Sequence, residues 1–144
     1  MHFKVLLVDD FEAFRQSVCS MLLRTGKFQV IGQAADGVEA VQKAEELQPD
    51  LILLDICLPR LNGIAAVPQI RTVAPESKIL FLTGLDLPEM VEEALSTGTS
   101  GYVIKSEAGI ELVEAIEAVM QGGQFVSRAL RKAKDKVGYN EARV

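Results

Sequence analysis

Five polar residues stand directly behind short apolar runs: Asp9 and Asp10 after Val5-Leu6-Leu7-Val8, Asp55 after Leu51-Ile52-Leu53-Leu54, Thr83 after Ile79-Leu80-Phe81-Leu82, and Lys105 after Tyr102-Val103-Ile104. If the runs are parallel strands, these residues meet along one rim of a sheet, where open α/β sheets carry their functional crevice. Three carboxylates at one rim repel one another unless a cation offsets their charge. Hard oxygen ligands of this kind suit Mg²⁺, which uses one or two carboxylates, keeps several waters and takes a phosphate oxygen as well. Thr83 adds a hydroxyl and Lys105 a compact positive charge on a flexible stem. The set points to transfer of a phosphoryl group to a carboxylate, with Asp55 attacking in line and the metal and lysine facing the charge on the phosphoryl oxygens. Taken singly, an acid or a lysine behind a buried strand needs no such explanation, because strand ends meet water. Four of five strand ends agreeing is what favours the chemistry.

The elements that must position these groups are legible in the same stretch. Near-continuous apolar runs of this length predict strands buried on both faces of a parallel sheet. A fifth strand, Phe28 to Ala34, lies between the turn signals Thr25-Gly26-Lys27 and Asp36-Gly37, and its lower apolar density suits a sheet edge. Helical spacing recurs in the gaps: Phe14, Val18, Met21 and Leu22; Val38, Val41, Ala44 and Leu47; Met90, Val91, Ala94 and Leu95; Leu112, Val113, Ile116, Val119 and Met120. Strand and helix thus alternate five times, the pattern of a doubly wound α/β fold with helices on both faces. Pro68, inside the helical stretch from Ile64 to Val73, predicts a late start or a kink. Gly122-Gly123 ends the last helix, and a basic segment follows, with a helical reading from about Ser127 to Lys136.

Composition excludes several other classes of function. The chain of 144 residues is 49% hydrophobic and 24% charged, as expected for one globular domain. No apolar run approaches the roughly 20 residues that cross a bilayer, and Met1-His2-Phe3-Lys4 leads into a strand rather than a signal peptide, so a cytoplasmic location is expected. Cys19 and Cys57 have no metal-site spacing and read as reduced core thiols. His2 is the only histidine, which removes any basis for a Ser-His-Asp triad or a histidine-rich metal site. Residues 1 to 126 carry nine bases against eighteen acids, whereas residues 127 to 144 carry six against two. The acidic body disfavours direct contact with nucleic acid. The basic tail reads as a solvated linker or helix, and neither a Walker-type loop nor a GxGxxG follows the first strand.

The run Val5 to Asp10, then Leu53-Leu54-Asp55-Ile56-Cys57-Leu58-Pro59 with Gly63, then Phe81-Leu82-Thr83-Gly84 and Gly101-Tyr102-Val103-Ile104-Lys105, strongly resembles the receiver domains of two-component response regulators. The resemblance covers residues 3 to about 123. It implies a flavodoxin-like, five-stranded parallel sheet of order 2-1-3-4-5, with residues 1–123 as the receiver domain and residues 124–144 as a basic C-terminal linker or short helix. By position it implies phosphorylation at Asp55, Mg²⁺ held by Asp10, Asp55, Asp9 and the backbone carbonyl of Cys57, and contacts from Thr83 and Lys105 to phosphoryl oxygens. Tyr102 matches the aromatic that changes rotamer as Thr83 moves toward the phosphate. The implied donor is a sensor histidine kinase, and the implied role is a signalling switch rather than an enzyme acting on an external substrate. The same resemblance gives the face of the fourth helix, fifth strand and fifth helix as the readout surface and the place for a homodimer.

The stretch Ala108-Gly109-Ile110-Glu111-Leu112 through Gly122-Gly123 is similar to the branch whose receivers precede a helix-turn-helix domain, so the implied output is transcription. Any DNA contact would need an output domain that this chain does not contain, since about twenty residues fall short of the roughly 40 a domain requires. Three residues depart from the family pattern: Asn62 where aspartate is common, Pro68, and Ser106 where proline often follows the lysine. A cis bond at Lys105-Ser106 would cost about 3–4 kcal/mol without proline. Cys57 and Leu85, two positions past Asp55 and Thr83, would flank the path of an attacking water and orient it poorly, which predicts slow loss of phosphate. Two alternatives remain on these residues: a receiver-like interaction module that is never phosphorylated, and a haloacid-dehalogenase-type phosphatase. The latter needs an acid two residues after its nucleophile, where this chain has Cys57 after Asp55 and Phe11 after Asp9.

Overall fold

The structure is a computed structural model that describes residues 2–131. The chain runs β1 (Phe3–Val8), α1 (Glu12–Thr25), β2 (Phe28–Ala34), α2 (Gly37–Leu47), β3 (Leu51–Leu54), α3 (Gly63–Val73), β4 (Lys78–Thr83), α4 (Pro88–Ser96), β5 (Gly101–Ile104), a 3₁₀ turn (Lys105–Glu107), α5 (Ala108–Met120) and β6 (Phe125–Val126). Every strand pairing is parallel, and the sheet order is β2-β1-β3-β4-β5-β6. The five expected strands therefore hold their expected order, with β2 at one edge.

Side-chain alternation along the strands feeds two cores. Leu6, Val8, Ile52 and Leu54 face Ala40 and Ala44 of α2, Ala66, Val67 and Ile70 of α3, and Val91 and Ala94 of α4. Val5, Leu7, Leu51 and Leu53 face Val18 and Leu22 of α1 and Leu112, Ala115, Ile116 and Val119 of α5. Burial on both faces explains why these strands read as unbroken apolar runs. Among the described residues no helix is long and apolar enough to cross a membrane.

Two expectations change, and one open point is filled in. The sheet has a sixth strand, because Phe125–Val126 returns beside β5 and pairs Gly101 with Phe125 and Tyr102 with Val126. A boundary at residue 123 thus falls inside the packed fold. The late start expected from Pro68 does not occur: α3 begins at Gly63, where Asn62 accepts the Ala65 amide at 2.9 Å, and Pro68 sits within the helix. That cap, with the burial of Ala66, Val67 and Ile70, offsets the one donor that proline removes. No peptide bond among the described residues is cis, so Lys105-Ser106 opens an ordinary 3₁₀ turn. Residues 128–131 are helical, in line with the reading of the tail, and its continuation to Lys136 lies outside the described residues.

Candidate functional site

Asp9, Asp10 and Asp55 converge at the carboxyl edge of the sheet because β1 and β3 are adjacent and in register, Val8 lying opposite Leu54. One carboxylate oxygen of each lies within 4.8 Å of the others. With Phe11, Cys57, Thr83, Gly84, Leu85 and Lys105, Asp10 and Asp55 line an open cleft of about 280 Å³. A larger groove, of about 490 Å³, lies between α1 and β2 and is lined by His2, Cys19 and Leu23 among others, away from the carboxylates. The carboxylates, Thr83 and Lys105 are gathered at the smaller cleft.

Lys105 reaches across this rim from β5. Its Nζ is 3.0 Å from Asp55 Oδ2 and 2.6 Å from Asp9 Oδ2. Asp9 Oδ2, which is buried, therefore has the Lys105 ammonium as its charged partner. Burial by itself would lower the lysine pKa, but the contacts with Asp9 and Asp55 outweigh it and hold the ammonium above its ordinary 10.5. From below, the Phe14 ring of α1 faces the same ammonium at 4.7 Å, a cation–π contact. Phe14 reads from sequence only as a core residue; its place one turn after Asp10 is the single hint of this second role.

The backbone around Asp55 is equally constrained. Its Oδ1 accepts the Cys57 amide at 3.3 Å, and the Gly63 amide donates to the Ile56 carbonyl at 2.8 Å. A Cβ on Gly63 would lie 2.1 Å from the Asp55 carbonyl oxygen, so the start of α3 presses directly on the strand end that carries the carboxylate. Thr83 is fully buried at the end of β4, and its hydroxyl accepts the Leu85 amide at 3.4 Å. Tyr102 is also fully buried and donates its hydroxyl to the Leu85 carbonyl at 2.7 Å. Burial, followed by the charge of Asp55, pushes the phenol pKa well up, so it remains a donor.

One of the two cysteines requires a correction. Cys57 is exposed at the cleft and is not the core thiol expected from sequence, whereas Cys19 is half-buried and packs against the core beneath α1 and α5. The residue after Ile56 points outward because the chain turns there to reach α3. Partial burial first, and then the Asp55 charge, raise the Cys57 thiol pKa, which keeps it protonated and a weak nucleophile.

The residues fit a divalent cation. Three carboxylates against one ammonium leave a formal charge of −2, and the donors are hard oxygens gathered within 4.8 Å of one another. Without metal, Lys105 is the cation that faces Asp9 and Asp55, whose side chains are 2% and 4% exposed. Lys105→Met is expected to cost about 2 kcal/mol in metal-free buffer, less than for a fully buried pair because Lys105 is 24% exposed. Mg²⁺ should restore part of the loss. Because the folded lysine pKa is raised, the stabilisation is complete below 10.5 and is lost as pH rises through the folded value, so wild type and variant should converge in strong alkali. Urea midpoints that are equal for the two proteins without Mg²⁺ would remove Lys105 as the counter-charge.

Comparison with known proteins identifies the family. The family model described as "Response regulator receiver domain" matches residues 5–117. Over 123 residues, 85% of this chain and 52% of the relative, the sequence is 35% identical to the transcriptional regulatory protein DegU of Brevibacillus brevis. Over 138 residues, 95% of this chain and 66% of the relative, it is 36% identical to the response regulator protein VraR of Staphylococcus aureus. The chain thus spans between about half and two-thirds of the length of these curated relatives. A LuxR-family two-component response regulator from Aurantimonas sp. SI85-9A1 superimposes with a TM-score of 0.88 at 32% identity, covering 95% of this chain and 99% of that one. With the family model spanning most of the chain and the carboxylate rim in place, this protein belongs to the response regulator receiver domain family.

Proposed function

We propose that this receiver domain takes a phosphoryl group on Asp55, with Mg²⁺ bound by Asp10, Asp55, Asp9 and the Cys57 carbonyl, and passes the change to a transcriptional output. The observation that carries the reading is the Lys105 ammonium held against Asp55 Oδ2 at 3.0 Å beside an acidic, open cleft. A carboxylate oxygen of Asp55 attacks phosphorus in line while the bond from phosphorus to the donor's imidazole nitrogen breaks, and the bonding pair leaves with the imidazole. Lys105 exchanges its carboxylate contact for a phosphoryl oxygen, and the Thr83 hydroxyl supplies a second donor. A bound Mg²⁺ would offset the combined charge of carboxylates and phosphoryl group. Tyr102, tied to the loop after Thr83, is the residue we assign to the switch.

On this reading the donor is a sensor histidine kinase, the site of action is the cytoplasm, and the domain catalyses only its own phosphorylation and dephosphorylation. The face of α4, β5 and α5 is the readout surface and the place of a homodimer, and DNA is contacted through an output domain beyond this chain.

The test is intact-mass detection of an acyl phosphate after incubation with acetyl phosphate, with and without Mg²⁺. A single Mg²⁺-dependent adduct that maps to Asp55 is expected. No adduct, together with no beryllofluoride binding, would favour a module that works without phosphorylation.

The lifetime of the adduct follows from the cleft wall. Cys57 and Leu85 line the cleft, and a thiol and an alkyl side chain orient an attacking water poorly. Introducing polar side chains, as in Cys57→Asn with Leu85→Gln, should speed dephosphorylation by about tenfold by orienting that water. An unchanged decay rate of the purified adduct would sink this account.

A further inference from the structure

The chain does not leave the fold where α5 ends. After the Gly122-Gly123 turn, β6 pairs with β5, and the fully buried Ser127 then grips β5 twice. Its amide donates to the Tyr102 carbonyl at 2.9 Å, and its hydroxyl accepts the Ile104 amide at 2.9 Å. The next amide, of Arg128, donates to Glu111 Oε2 on α5 at 3.0 Å. Val126 and Leu130 pack in the same apolar cluster as Tyr102.

The strand residue held in this way is the one that reaches the cleft. Tyr102 donates its hydroxyl to the Leu85 carbonyl, and Leu85 lines the cleft beside Asp55 and Thr83. A continuous set of contacts therefore runs from the cleft wall through Tyr102 to residues 125–131.

One buried group opposes the docking of that segment. Glu111 is 2% exposed, and its Oε1 has no hydrogen-bond partner while Arg128 is in place. A buried carboxylate oxygen left in this state opposes docking, and it regains water when the segment departs. The Phe125 amide adds a bond to the Ser100 carbonyl at 3.1 Å, whereas the side-chain tie of Arg128 to Glu114 at 3.4 Å is exposed and adds little.

We propose that residues 125–131 are a docking element coupled to the cleft through Tyr102, such that a ligand on Asp55 and the docked segment stabilise each other. The proposal rests on the reading of Asp55 as the phosphoacceptor. Pairing with Val126 and the Ser127 amide fix the Tyr102 backbone, its hydroxyl is held on the loop that carries Leu85, and a group on Asp55 that engages Thr83 acts on that same loop. Coupling of this kind is reciprocal, so it can be read from either end.

Two measurements on the full chain test it, with Mg²⁺ and beryllofluoride as the probe. Beryllofluoride should slow amide exchange at Ser127 and Arg128 by about fivefold, and Ser127→Ala should weaken beryllofluoride binding by a similar factor, the lower end of typical coupling. A merely structural serine would lower overall stability and leave that affinity unchanged. Binding of beryllofluoride with no change in exchange at Ser127 and Arg128 overturns the coupling and spares the Asp55 reading, and it does so on wild type even if the variant fails to fold. No beryllofluoride binding overturns both.

Discussion

Asp55→Asn is expected to abolish the phosphoryl adduct, lowering the rate of its formation from acetyl phosphate by about 10³-fold or more, as when a nucleophile is removed from other sites. Asparagine keeps the shape of the side chain and an oxygen able to accept the Cys57 amide, so the turn after β3 has no reason to change. What is lost is the anionic oxygen that attacks phosphorus, since an amide oxygen is a poor nucleophile. Lys105 keeps its contact with Asp9, and one of three mutually repelling carboxylates is gone, so stability should shift by no more than about 1–2 kcal/mol. Intact mass after acetyl phosphate treatment, with a urea midpoint on the same sample, separates lost chemistry from lost fold. An adduct of wild-type yield in the variant would move the acceptor to another residue, with Asp10 the first to examine.

Gly63→Ala should strike both stability and chemistry. The new methyl would sit 2.1 Å from the Asp55 carbonyl oxygen and 2.9 Å from Ile56 Cα, both of them backbone, so no side chain can swing aside. Either α3 moves away from the sheet or the end of β3 is displaced. The first loses packing of Ala66, Val67 and Ile70 and the second moves the Asp55 carboxylate. Overpacking of this type costs about 1–3 kcal/mol and more where backbone is the obstacle, so a loss near 3 kcal/mol is expected. Adduct formation should also slow by about 10²-fold in the fraction that remains folded, the penalty of an ångström-scale misplacement. A variant with the wild-type urea midpoint and phosphorylation rate would show that the contact is relieved at no cost, and that Gly63 does not position Asp55.

The contrast between Gly63 and the two glycines at the end of α5 illustrates how sequence and structure divide the information. Gly122, with φ of +90°, is needed for its backbone conformation, which a helix end followed by paired glycines announces in advance. Gly63 has no unusual dihedral, and its need is an approach between two backbones that only the folded chain brings together. Asn62 divides in the same way: from sequence it departs from an acidic pattern, and in the structure it caps α3.

The sequence by itself determined the alternation of strands and helices, the parallel sheet and the rim of chemistry. Buried parallel strands must be apolar throughout, and a parallel sheet sends every strand end to the same edge, so Asp9, Asp10, Asp55, Thr83 and Lys105 were readable as one group before any coordinate. Only the tertiary structure decided the rest. β6 is two residues long, too short for any periodicity, and becomes a strand because β5 offers it an open edge. Glu111 lies in the first turn of a helix, where acids are ordinarily solvated, and is buried because the chain returns from Gly123 to cover it. Cys57 reads as one more apolar residue in an apolar run, yet it is exposed because the loop to α3 turns it outward. Local periodicity records which face of an element is covered, whereas the ties that link Ser127, Tyr102 and Leu85 depend on where distant segments come to rest.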